Sequence, residues 1–165
     1  MTILPDLLAP GLDVVIVGAA AGKTSAARQC YYAGAGNRFW RTLHEVGLTP
    51  AELAPTEYAR LLDYGIGLTD LAKGAIGADA ALRPEDFDRM RLRAVIKAAP
   101  PRFVAFNGKT AAARYFDLPA AKVSYGRQPD TIGLAAVYVC SSTSAANGHW
   151  SQKPWEELAR AVGQR

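Results

Sequence analysis

The sequence predicts an α/β protein whose mostly parallel sheet is covered by helices on both faces. Two observations carry this. Short apolar runs bounded by glycine or polar loops recur along the chain, and segments with helical spacing separate them. A third observation bears on function. Each run is followed by a loop of small or polar residues, and in such folds ligands bind at the carboxyl ends of the strands.

Val14, Val15, Ile16 and Val17 form a β-branched run that stops at Gly18, the pattern of a strand buried on both faces. A small-residue turn follows at 18–22. Asn37 is expected to open a helix in which Phe39, Leu43 and Val46 share a face and Gly47 ends it. Pro55 suits the first turn of another helix, with Tyr58, Leu61 and Leu62 inward. Residues 84–99 read as one helix. Glu85 and Asp86 complement its dipole, and Leu92, Val95, Ile96 and Ala99 line one face. Phe103, Val104, Ala105 and Phe106 make the second apolar run, followed by a Gly108-Lys109-Thr110 turn and a helix reaching Phe116. Residues 134–140 make the third run, which ends in the polar loop 141–147. A final helix spans 153–162, with Pro154 in its first turn.

The 165 residues fit one domain, 1–165, with no repeat or linker to divide it. Half are apolar and 21% are charged, enough for a core without disulfide or metal staples. The two cysteines, Cys30 and Cys140, belong to no cysteine/histidine cluster, so no metal site is expected. The net charge of +4 suits a polyanionic partner without requiring one. The first ten residues lack a basic leader, and no apolar run approaches ~20 residues. A cytoplasmic (intracellular) monomer that does not engage membranes is the expectation.

Gly18, Gly22, Lys23 and Thr24 after a strand suggest a phosphate-binding P-loop. That motif needs four residues between its glycines so that backbone N–H groups can wrap a phosphate, and here there are three. A nucleotide-binding protein stays open as an alternative, because Lys23 and Thr24 follow the glycine as a P-loop requires.

The same segment, read as strand, Gly-x-x-x-Gly and x-x-Ser, resembles the first motif of the mismatch-specific uracil-DNA and thymine-DNA glycosylases. Further pieces follow in the same order: Asn37-Arg38-Phe39-Trp40, the stretch 61–70 with Gly65, Gly67, Thr69 and Asp70, Gly108-Lys109, Gly126-Arg127-Gln128, and the serine-rich loop after the last strand. The resemblance covers nearly the whole chain. It implies a three-layer α/β/α sandwich with a central, mostly parallel sheet. It also implies uracil-containing DNA as partner, base flipping into a pocket at the strand ends, hydrolysis of the N-glycosidic bond, and no cofactor.

Tyr32 matches the family's aromatic ring that stacks on the flipped base, or else it is a core tyrosine. Ser25 matches a small polar pocket residue, and Asn37 one that shapes the pocket or caps a helix. Ala20 stands where the family carries the asparagine that positions the attacking water, and Ser142 where it carries asparagine or histidine. An alanine side chain cannot hold a water. The chain is then inactive and merely binds lesions or abasic sites, or backbone donors suffice, or another residue has taken over. Asp70 is the candidate replacement, with a helix-capping role as its alternative. Ser144, Ala146 and Asn147 fall in the loop that the family pushes into the duplex. Lys23, Lys109, Arg127 and His149 are candidate DNA contacts, each otherwise a solvated side chain.

Overall fold

In the computed structural model, which describes residues 2–77 and 81–164, one sheet forms from β1 (Val14–Gly18), β2 (Ile66–Asp70), β3 (Phe103–Asn107), β4 (Gly126–Ile132) and β5 (Ala135–Cys140). The strand order is β2-β1-β3-β5-β4. All neighbours are parallel except β4, which joins the edge antiparallel to β5.

Alternation along the strands sends side chains to two cores. Val14, Ile16, Ile66, Leu68, Phe103 and Ala105 face one side. There they meet Phe39 and Leu43 of α2 (Phe39–Glu45) and residues Trp155 and Leu158 of the last helix, α5 (Lys153–Gly163). Val15, Val17, Val104, Phe106, Val137 and Val139 face the other side. They meet Leu92 and Ile96 of α3 (Arg89–Ala98) and the alanines of α4 (Lys109–Phe116). A short helix, α1 (Lys23–Arg28), follows the β1 loop. This is the expected three-layer α/β/α sandwich.

Several local expectations need correction. β2 and β4 lack the apolar runs that mark the other strands in the sequence. β2 contains Gly67 and directly follows Gly65, and β4 contains Pro129, so neither has a continuous apolar run. The segment 84–99 is not one helix. A single turn at Pro84–Asp86 ends at Phe87, and Asp88 then caps α3 by accepting the Arg91 N–H at 3.0 Å. The segment opened by Pro55 is a run of tight 3-10 turns, Pro55–Tyr64, rather than an α-helix. The third apolar run begins at Ala135, not Leu134. Gly133 (φ +58°) and Leu134 form the two-residue turn of the β4–β5 hairpin, which leaves Leu134 92% exposed. Among the described residues no helix is long and apolar enough to cross a membrane, and no group of three potential metal ligands occurs.

Candidate active site

The loops after β1, β3 and β5 converge at one end of the sheet, where they wall a cavity of about 750 Å³. Most of the expected site residues line it: Ala20, Lys23 and Ser25 from the first loop and α1, Tyr32 and Asn37 from the segment before α2, and Asp70 from the tip of β2. Lys109, Ser142, Ser144, Ala146 and Asn147 complete the wall. Arg127 and His149 do not line the cavity. Arg127 is exposed on edge strand β4, and His149 is exposed beyond the β5 loop.

Asp70 is the last residue of β2, opposite Gly18 in the parallel register. It caps no helix. Alternation points its side chain to the same sheet face as Ile66 and Leu68, into the cavity. Only 4% of the residue is exposed, yet its carboxylate has no hydrogen bond or ion pair among the described residues. Burial pushes its pKa up to about 6. The Lys73 charge opposes that rise, the Asp6 charge adds to it, and the Arg91 charge opposes it. Gly18 makes this placement possible: a Cβ there would stand 2.5 Å from Asp70 Oδ1 and 3.0 Å from the Tyr32 hydroxyl.

Behind Asp70 lies a charged cluster that the sequence did not announce. Leu7 exchanges backbone hydrogen bonds with Leu68, which brings Asp6 beside the end of β2. Asp6 accepts from Thr69 Oγ1 at 2.6 Å, from Lys73 Nζ at 2.9 Å and from Arg91 Nη1 at 2.7 Å. Burial alone would raise its pKa, but the Thr69 and Lys73 hydrogen bonds and the Lys73 and Arg91 charges outweigh that and hold it low. Arg91 also donates to the Asp70 carbonyl at 2.8 Å, which fixes the strand tip. Lys73 reaches the Tyr31 hydroxyl at 3.1 Å. The only sequence signal for this cluster was a lysine three residues past Asp70.

Tyr32 sits in a turn at φ +51°. One face of its ring stacks on Phe39, with centroids 4.0 Å apart and planes 23° apart. Its hydroxyl is buried with no hydrogen-bond partner among the described residues. Burial first, then the Asp70 charge, push its pKa far up; the Asn107 amide lies near enough to pull the other way. Asn107, however, donates to Thr143 Oγ1 and accepts from the Thr143 N–H, both at 3.0 Å, so it is engaged in pinning the β5 loop.

The other polar residues also hold loops. Ser25 Oγ accepts the Ala33 N–H, and Asn37 Oδ1 accepts the Phe39 N–H, which sets the start of α2 two residues later than expected. Ser142 Oγ accepts from the Ser144 N–H and keeps its own proton free to donate. Ser144 Oγ accepts from the Ala146 N–H, and Asn147 donates to Ser141 Oγ and the Ser142 carbonyl. The loop after β5 that walls the cavity is therefore cross-braced.

A family model described as the uracil DNA glycosylase superfamily matches residues 5–162. The chain belongs to the uracil DNA glycosylase superfamily. A solution NMR structure of a candidate uracil DNA glycosylase from Methanosarcina acetivorans has the same fold, with a TM-score of 0.65 and 22% identity over 96% of each chain. Within this superfamily member the β1 loop, at Gly18–Gly22, offers the cavity only alanine side chains between its two glycines.

Proposed function

We propose that this chain is a monofunctional uracil-DNA glycosylase, close to the mismatch-specific branch of the superfamily. In this reading it flips uracil out of DNA and hydrolyses the N-glycosidic bond, leaving an abasic site for base excision repair. The observation that carries the proposal is the Asp70 carboxylate. It is buried at the cavity, has no hydrogen bond or ion pair among the described residues and is poised near neutrality, as a general base requires.

Asp70 accepts a proton from a water as the water oxygen bonds to C1′ of the sugar. The C1′–N1 bond breaks, its electron pair leaves with the uracil as an anion, and the proton on Asp70 later passes to solvent. The ionised carboxylate also offsets the positive charge that develops on the sugar. The free Ser142 hydroxyl donates a hydrogen bond to the departing anion and keeps its proton, and the Asn37 amide nitrogen reads the edge of the base. The open face of Tyr32 stacks on it. Lys23 and Lys109 at the rim contact phosphates. Arg127 and His149, outside the cavity, would touch only flanking DNA.

Ala20 favours a second reading, in which the chain binds lesions or abasic sites without cleaving, because that position has no polar atom. One experiment separates the two. Incubating excess protein with single- and double-stranded oligonucleotides that contain one uracil, then treating with alkali, should break the strand at the uracil alone. Binding to such DNA without a break would establish the second reading.

A further inference from the structure

A buried hydroxyl without a partner is costly, and among the described residues Tyr32 carries one, close to the 4% exposed Asp70. Both oxygens flank the same point above Gly18, where a side chain would have to stand and none does. The two groups are not hydrogen-bonded to each other. A water bridging them would need to lie ~2.8 Å from each oxygen. The site is polar, and it opens on the cavity.

We propose that the Tyr32 hydroxyl and the Asp70 carboxylate together hold the attacking water, so that Tyr32 is a catalytic residue and not only a stacking platform. This rests on the glycosylase reading above. The Tyr32 O–H donates to the water oxygen, and the water donates one hydrogen to Asp70 Oδ1. That leaves one lone pair aimed outward at the sugar carbon. As the oxygen bonds to C1′ and the C1′–N1 pair departs with the base, the shared proton moves to Asp70. The Tyr32 proton stays on Tyr32, whose buried phenol resists ionisation. The arrangement places the nucleophile from the β2 side of the cavity, and Ala20 in the β1 loop has no part in it.

Three features of the sequence make this geometry. Gly18 removes the Cβ that would occupy the point. The turn that holds Tyr32 at positive φ accompanies a ring whose hydroxyl lies 3.0 Å from that point. The Phe39 ring, stacked on Tyr32, fixes the direction of the hydroxyl.

The test is Tyr32→Phe, which keeps the ring and its stacking and deletes only the hydroxyl. Single-turnover excision from a uracil oligonucleotide should fall about tenfold, the lower end for a group that positions a reactant. Apparent affinity for the oligonucleotide should hold, and the melting temperature should stay level or rise because an unpartnered buried group is gone. A parent rate would overturn the proposal. So would a loss confined to affinity, which would assign the hydroxyl to the base, or a rate loss that comes with a lower melting temperature. Asp70→Ala and the parent are run beside it. If the parent excises and Asp70→Ala does not, a parent rate for Tyr32→Phe removes this proposal alone. If the parent does not excise, the glycosylase reading itself falls.

Discussion

Asp70 Oδ1 lies 2.5 Å from the place where a Cβ on Gly18 would stand, so the carboxylate occupies space that only glycine leaves open. Gly18→Ala should therefore push Asp70 aside and crowd the Tyr32 hydroxyl at 3.0 Å. The expected result is a stable but slow enzyme: about 1–3 kcal/mol lost to overpacking, and excision at least tenfold down. Denaturant unfolding and single-turnover rates on the same preparation check both numbers.

The Asp70 pKa of about 6 sets a pH dependence, because a base must be ionised to act. Excision should be slow at pH 5, rise through about pH 6 and level off above pH 7. The groups around Asp70 are Asp6, Lys73, Arg91, Tyr31 and Tyr32, and Lys73 is the one whose charge most opposes the upward shift. Lys73→Met should move the midpoint of the profile to higher pH. A midpoint that moves down, or stays fixed, would contradict the electrostatic account.

The same carboxylate makes a stability prediction of opposite sign to its catalytic value. The folded state holds the Asp70 proton more tightly than the unfolded chain, so stability falls as pH rises from 3.8 to about 6 and the cost is complete above that. The shift corresponds to about 3 kcal/mol. Asp70→Asn should melt higher than the parent at pH 8, with the gap closing toward pH 4. Asp6 behaves in the reverse way: its lowered pKa stabilises the fold above the unfolded value, and that support disappears as pH falls through the folded pKa. Thermal melts from about pH 2 to pH 8 read both trends.

Much of this was legible in the sequence because it rests on local pattern. The apolar runs at 14–17, 103–106 and 134–140 have the pattern of strands buried on both faces, and they place the three loops that wall the cavity. What stayed hidden depends on distant contacts. Glycines at 65 and 67 weaken the strand signal of β2, which forms because β1 pairs along its whole length. The Asp6 cluster needs the pairing of Leu7 with Leu68, 61 positions apart by number but adjacent in space, and no periodicity reports that. Asp70 was identified as a candidate by its place in a resembling segment. That its side chain would face the cavity, and not cap a helix, followed only from its position at the strand tip.

DNA binding should be electrostatic but modest, carried at the rim by Lys23 and by Lys109, whose ammonium lies 4.3 Å from the Tyr125 ring centre. Each phosphate contact contributes a log–log salt slope of about −0.9 on duplex DNA. Lys23→Ala should weaken binding to uracil-free and uracil-containing duplex alike and flatten the slope by about one contact. Fluorescence anisotropy at several salt concentrations measures it, and a slope equal to the parent's would remove Lys23 from the interface.

The central claim is that Asp70 does the work for which the β1 loop has no side chain. It is tested most directly by single-turnover excision of uracil with Asp70→Ala, with circular dichroism to confirm folding. The account predicts a rate about 10²-fold or more below the parent, with Asp70→Asn intermediate because an amide can orient a water but carries no charge. Folded Asp70→Ala protein that excises uracil at the parent rate would contradict it.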